Sequence, residues 1–261
     1  MNDCLQQLEA VPISERDSAW VWLGQGGFAW RFGSRATIVI DPYLSDTVEQ
    51  QDGLTRLAPA PIRPDRLRGD LLLITHDHLD HFDEPSVIHA VRHAGMKVAG
   101  PGSVQKHYRK LGLPEDAFMR IDQGEEFLFG GVRIRAVYAE HSSGDGECDA
   151  VGFVLDREGS RIYHVGDSEL TDELLRIAGE LKADCIALPI NGRWGNMSAQ
   201  EAAELTVRSG AGTAIPMHFG MFAENTADPQ LFVDALQAAD KGKIRIRIPE
   251  LGRVQVFARG E

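Results

Sequence analysis

Cysteine is scarce in this chain. Its 261 residues hold three, Cys4, Cys148 and Cys185. They lie far apart, are odd in number and form no C-x-x-C pair, which argues against a disulfide framework or a thiolate zinc site. Cys185 sits in an apolar run and reads as a small core residue. Long apolar runs are missing too, so no membrane span and no membrane partner are expected. Met1 to Trp20 lack the basic-then-apolar order of an export signal. A reducing cytoplasm is therefore the expected compartment. Positive charge is in short supply: 27 Lys and Arg against 39 Asp and Glu give a net charge of -12. No Lys/Arg run offsets this locally, which argues against a nucleic-acid partner.

What remains is the profile of a soluble globular protein, 43% hydrophobic and 25% charged. No linker, low-complexity tract or composition shift divides it, and one domain over residues 1–261 is expected. Residues 1–18 are polar and read as a short helix or arm. Short strands with glycine turns follow over 19–23, 28–32 and 37–40, an antiparallel meander. Residues 43–68 carry Pro59, Pro61 and Pro64 without periodicity and read as a long loop. Helices are expected after Asp83-Glu84-Pro85, over 103–111, 171–181, 198–208 and 228–238. Strands are expected at 97–99, 126–129, 132–139, 151–155, 161–165, 184–188, 213–216, 244–248 and 254–257. Ser198-x-x-Glu201 is a capping-box pattern. This alternation suggests two packed sheets with helices outside, an α/β (α+β) class.

The chemistry is concentrated in Thr75-His76-Asp77-His78-Leu79-Asp80-His81, directly after the apolar run Leu71-Leu72-Leu73-Ile74. That reads as a buried strand ending in polar ligands. His76, His78, Asp80 and His81 have metal-ligand spacing. Three later segments repeat the design. The 132–139 strand ends in Glu140-His141-Ser142-Ser143-Gly144, the 161–165 strand in Gly166-Asp167-Ser168, and the 213–216 strand reaches His218 after Met217. Strand ends on one sheet edge can share a crevice. Imidazole and carboxylate suit Zn(II), Mn(II) or Fe. His76 and His78, two apart, can point the same way on an extended segment. Asp80 and His81 must diverge from that direction, which suits a second metal. Asp167 is the candidate bridging carboxylate.

In this order the residues resemble the metallo-β-lactamase superfamily: His76-Asp77-His78-Leu79-Asp80-His81, then His141, Gly166-Asp167-Ser168 and His218. Within it the chain is similar to the branch containing L-ascorbate-6-phosphate lactonase. The matching stretches are 22–27, 75–81, 163–168, 188–192 and 215–218, with Asn225 and Asp228-Pro229. The resemblance implies a four-layer αββα sandwich and a dinuclear centre. It places His76, His78 and His141 on one metal, and Asp80, His81 and His218 on the other, with Asp167 bridging. The function it implies is a metal-dependent hydrolase of a small-molecule ester or lactone, phosphorylated or not. The cofactors would be two divalent ions, Zn(II) or Mn(II). A phosphodiesterase, an amidase or a non-catalytic metal-binding sensor are the alternatives. Homo-oligomerisation is a further expectation.

Other residues carry weaker signals. Asp80 is expected to orient the attacking water or protonate the leaving group as well as to ligate. His164, beside the Val165-Gly166-Asp167 turn, is either substrate-facing or structural. Asn191 and Arg193 follow the 184–188 strand and could meet a carbonyl or anion. Asp41 either orients a ligand histidine or caps the turn at Pro42. His89 and His93 read as an exposed pair. Lys106, Arg109 and Lys110 lie together on a helix and could meet a phosphate, but read first as a solvated helical face.

Overall fold

The protein is described from a computed structural model over residues 3–142 and 146–258. Ser143 and Gly144, named above after His141, lie outside the described residues. The polar start is a helix, α1 (Cys4–Ala10), capped by the Asp3 carboxylate on Leu5 N and Gln6 N. Strands β1 (Ser18–Gly24), β2 (Gly27–Phe32) and β3 (Ala36–Ile40) form the expected antiparallel meander. Residues 43–68 are not one loop. They contain α2 (Thr47–Asp52) and a 3-10 turn at Pro64–Arg66. Six residues are too few for a helical period to show in a sequence.

The chain continues through β4 (Leu71–Leu73), α3 (Glu84–Arg92), β5 (Lys97–Gly100), α4 (Gly102–Lys110) and β6 (Phe118–Arg120). Next come β7 (Glu126–Phe129), β8 (Val132–Tyr138), β9 (Val151–Arg157), β10 (Ser160–His164) and α5 (Asp172–Leu181). The last elements are β11 (Cys185–Pro189), α6 (Ala199–Ser209), β12 (Thr213–Met217), α7 (Pro229–Asp240), β13 (Arg245–Ile246) and β14 (Val254–Phe257). The strand expected over 244–248 shortens to two residues, and β6 was not anticipated. The capping box at Ser198 and Glu201 is formed.

Two seven-stranded sheets result, in the orders β14-β1-β2-β3-β4-β5-β6 and β13-β12-β11-β10-β9-β8-β7. Strand alternation sorts their side chains into three apolar layers. Between the sheets lie Trp20, Trp22, Phe28, Trp30, Ile38 and Leu71 from one, and Val132, Ile134, Phe153 and Ile215 from the other. On the outer face of the first sheet, Val21, Val39, Leu72 and Val98 pack on Leu5, Val87 and Val104 of its helices. On the outer face of the second, Val154, Ile186 and Ala214 pack on Leu174, Leu205 and Phe232. The architecture is an αββα sandwich, as expected.

The topology also decides where the strands stop. β3 and β4 are parallel, so both end at one edge of the first sheet. β10, β11 and β12 are parallel, and two antiparallel steps through β9 give β8 the same direction. The C-terminal ends of both sets meet at one edge of the sandwich. Backbone hydrogen bonds tie the sheets together there, Val151 N to Thr75 O (3.0 Å) and His218 N to Gln25 O (3.1 Å).

Candidate metal centre

Each of the seven candidate ligands follows a strand that ends at this edge. His76, His78, Asp80 and His81 follow β4, His141 follows β8, Asp167 follows β10 and His218 follows β12. Three groups of ligand atoms lie within 4.8 Å of one another: His76, His78 and His141; Asp80, His81 and His218; and His76, His81 and Asp167. His78 Nδ1 is 3.0 Å from His76 Nε2 and 3.1 Å from His141 Nε2. Asp167 reaches toward both sides, 3.1 Å from His218 Nε2, 3.4 Å from His81 Nε2 and 4.0 Å from His141 Nε2.

The outer hydrogen bonds fix which nitrogens face inward. His81 Nδ1–H donates to Asp41 Oδ2 (2.8 Å). His141 Nδ1–H donates to the Gly195 carbonyl (2.9 Å). Thr75 Oγ1 spends its proton on Asp41 Oδ2 (2.6 Å), so it accepts from His76 Nδ1 (2.9 Å). The Nε2 lone pairs of His76 and His141, and that of neutral His81, therefore point at the centre, and His78 presents Nδ1. Asp41 thus serves both groups, His81 directly and His76 through Thr75. It orients ligand histidines, the role left open beside turn capping.

These atoms fit divalent cations. Ligand nitrogens about 2.0–2.1 Å from a tetrahedral metal stand about 3.3 Å apart, close to the spacing of the His76, His78 and His141 nitrogens. His81 Nε2 and Asp167 Oδ1 are buried with no hydrogen-bond partner. Buried polar atoms are rarely left so, unless something else is to fill the gap. The donor set is imidazole and carboxylate throughout, which suits Zn(II) or Mn(II).

The electrostatics divide the site. Burial drives His76 well below the ordinary imidazole range, and the nearby His81 and His141 push the same way. Burial and His141 also lower His78. Burial would lower His81 as well, but the carboxylates of Asp167, Asp80 and Asp41 outweigh it and raise His81 well above its usual value. His218 behaves alike: burial opposes, Asp167 and Asp80 prevail, and its pKa rises to about 9. Burial would raise the pKa of Asp167, but His218 and His81 hold it well below the usual carboxylate range. Without metal, His81 and His218 favour the protonated form, so metal uptake would displace protons.

Backbone strain clusters here. Gln25, Asp41, Trp194 and His218 all have φ between 45° and 60°, and all four border the site. The other non-glycine residues with positive φ, Glu158, Lys182 and Lys241, sit at a hairpin turn or just past a helix. Such conformations cost about 1–3 kcal/mol each and persist where the surroundings enforce them. Close approach demands glycine twice: a Cβ on Gly26 would stand 2.9 Å from His81 Cε1, and one on Gly195 would stand 2.8 Å from His141 Nδ1.

Residues 36–219 match the family described as the beta-lactamase superfamily domain. The chain belongs to the beta-lactamase superfamily. It is 32% identical over 238 residues to a UPF0173 metal-dependent hydrolase of Cupriavidus taiwanensis, covering 84% of this chain and 80% of that one. A metal-dependent hydrolase of Thermoplasma acidophilum is 30% identical over 217 residues, covering 81% and 88%. Among solved structures, Igni18, a metallo hydrolase of Ignicoccus hospitalis, has the same fold. Its TM-score is 0.72 at 23% identity, covering 92% of this chain and 98% of that one.

The candidate site borders a cavity of about 620 Å³. His78, Asp80, His141, Asp167 and His218 line its floor, with Asn196, Asn225 and Trp194 beside them. Two residues expected at the reaction do not face it. His164 is fully buried, its Nε2–H donates to the Gly26 carbonyl (2.8 Å) and its Nδ1 accepts from Gly166 N (3.2 Å). With both nitrogens taken by backbone, His164 is a strut between the sheets rather than a substrate contact. Asn191 lies behind the lining and donates from Nδ2 to Asn225 Oδ1 (2.6 Å). Asn225, with its oxygen engaged, lines the cavity in its place.

Gln25 and Asn196 were missed. Gln25 Nε2 donates to Asp80 Oδ2 (2.8 Å), and Asn196 Nδ2 donates to Asp167 Oδ2 (2.7 Å). The signal for Gln25 was a lone polar residue in the Gly24-Gln25-Gly26-Gly27 turn. Asn196 follows a loop whose sequence carries no such mark.

Proposed function

We propose that this chain is a hydrolase that uses a dinuclear Zn(II) or Mn(II) centre against a small-molecule ester or lactone, phosphorylated or not. The supporting observation is the convergence of seven candidate N and O ligands beside an open cavity, with the outer nitrogens of His76, His81 and His141 hydrogen-bonded. The names of its relatives favour a metal-dependent hydrolase, and the resemblance to the ascorbate-6-phosphate lactonase branch favours the ester or lactone class.

His76, His78 and His141 would hold one ion, and Asp80, His81 and His218 the other, with Asp167 reaching both. When bound, such ions lower the pKa of water from about 15.7 toward 7–9 and polarise a carbonyl oxygen. The rest falls to the protein's own groups. Asp41 and Gly195 O hold the imidazoles in the ligating tautomer. Gln25 and Asn196 hold Asp80 and Asp167 by one oxygen each. Asp80 is the more exposed of these two carboxylates, with 18% of its side chain accessible against 5% for Asp167. That exposure favours Asp80 as the group that would take the proton of the attacking water and return it to the leaving group. Asn225 Nδ2, not consumed by Asn191, is available to a developing oxyanion.

The test is hydrolysis of a panel of lactones, aryl esters, phosphodiesters and amides by protein loaded with Zn(II) or Mn(II). Turnover of esters or lactones that stops on chelation supports the reading. Turnover of phosphodiesters or amides alone would replace its substrate class. Metal binding with no turnover would make the chain a sensor.

A further inference from the structure

Helix α4 carries three basic residues near its end, and they do not share one fate. Lys106 pairs with Glu147, and Arg109 pairs with Glu115 (2.9 Å). Lys110 makes no ion pair or hydrogen bond with the described residues, although it lines the same cavity as the candidate ligands His78 and Asp80. His107, three residues earlier and so on the same helical face, shows where that face looks. Its Nε2 is 3.0 Å from Asp77 Oδ2, between His76 and His78 in sequence. His107 and Lys110 both line the cavity above the cluster.

Lys110 is the one Lys or Arg among the described lining residues. The carboxylates on the floor are engaged: Asp77 with His107, Asp80 with Gln25 and His218, Asp167 with Asn196 and His218. Asp52 lies on the rim without pairing with Lys110. Part of the lining is apolar. Val48 and Phe222 form a small buried cluster with Tyr43 and Met221, and Leu54 and Leu79 pack on it. Trp194 also lines it, 57% exposed with φ 50°. A bulky, exposed side chain held in a left-handed conformation is an outlier that calls for a function. A volume of about 620 Å³ suits a small molecule, within the range of about 300–1,000 Å³ usual for such sites.

We propose that this cavity selects a small amphipathic anion, with Lys110 holding its carboxylate or phosphate and the Leu54, Leu79, Phe222 and Trp194 walls holding its apolar arm. This deepens the hydrolase reading and rests on it for the statement that the anion is a substrate. Lys110 is then a specificity-determining residue, and the expected solvated face of α4 applies to Lys106 and Arg109 only.

Two measurements separate this proposal from the hydrolase reading. The first compares p-nitrophenyl acetate with mono-p-nitrophenyl succinate on Mn(II)-loaded protein. The wild type is expected to favour the anionic ester, and Lys110→Gln to lower that preference about tenfold through KM, with Lys110→Arg restoring most of it. An unchanged ratio in Lys110→Gln overturns the proposal. The second needs no turnover: calorimetric titration of the metal-loaded protein with hydrocinnamate and with its neutral amide. Lys110→Gln is expected to weaken hydrocinnamate about tenfold more than the amide. Equal weakening, or none, overturns the proposal even where both esters are cleaved. Lys110-dependent hydrocinnamate binding with neither ester cleaved supports the anion site and counts against the hydrolase reading.

Discussion

Asp41 Oδ2 accepts a 2.8 Å hydrogen bond from His81 Nδ1, and neither side chain is accessible to solvent. The same oxygen accepts from Thr75 Oγ1, which accepts from His76 Nδ1. One carboxylate therefore sets a histidine in each ligand group. Asp41→Asn is expected to weaken metal binding about 10–100-fold at both positions. Thr75→Val is expected to weaken the His76 group alone. Metal titration by calorimetry checks both. Equal effects of the two variants at both positions would show that Asp41 does not act as this hub.

Asp167 is the carboxylate that reaches both groups, and it faces His218 at 3.1 Å. Asp167→Ala leaves His81 and His218 without their counter-charge. Metal content is expected to fall to one equivalent or less, and hydrolysis at least about 100-fold. Elemental analysis of the purified variant is the measurement. Retention of two equivalents would remove Asp167 from the bridging position.

His164 bonds to two backbone groups across the interior. His164→Phe leaves the Gly26 carbonyl and the Gly166 N–H unpaired, at about 1–3 kcal/mol for each. The thermal midpoint is expected to drop while metal stoichiometry and KM stay near wild type. An unchanged midpoint with lost turnover would restore a catalytic role to this histidine.

Gln25 is fully buried and bonds to Asp80 from a left-handed turn. Gln25→Ala frees one oxygen of Asp80 and opens space beside His218. A several-fold loss of affinity for the second metal equivalent is expected, with the first unaffected. Stepwise metal titration reads this directly, and a uniform loss at both steps would mean general unfolding of the edge instead.

The metal-free protein should become less stable as pH rises. The pKa of His218 is raised from 6.5 to about 9 by Asp167 and Asp80 against the opposing effect of burial. Its contribution is fully present below the unfolded value and is lost as pH rises through about 9. The depressed carboxylates Asp80 and Asp167 act only at the acid end, where their contribution is lost as pH falls. The thermal midpoint of chelated protein is therefore expected to fall between pH 6.5 and 9.5. Bound metal replaces these protons, so the loaded protein is expected to show less of this slope. A flat midpoint in the chelated protein over that window would contradict the charge arrangement.

The ligand loop was legible because five of its residues are rare donors packed behind an apolar strand. His141, Asp167 and His218 were legible because each stands where a strand stops, and parallel strands stop at one edge. The supporting shell was harder to see. Gln25 and Asn196 act through single hydrogen bonds between segments remote in sequence, and no spacing rule links residue 25 to residue 80. His164 misled for the same reason: its alternation points it inward, but what fills its nitrogens is the backbone of a turn 138 residues away. Helix α2 was lost within a proline-bearing stretch, because its six residues show no period of their own. Lys110 looked like its neighbours on α4, and only the pairing of Lys106 and Arg109 sets it apart.

The most direct test of a paired centre is a titration of metal-free protein with Mn(II) while ester hydrolysis is followed. Activity is expected to be absent at the start and to rise to a break at two equivalents per chain. Full activity in the metal-free protein, or a break at one equivalent, would contradict the dinuclear hydrolase.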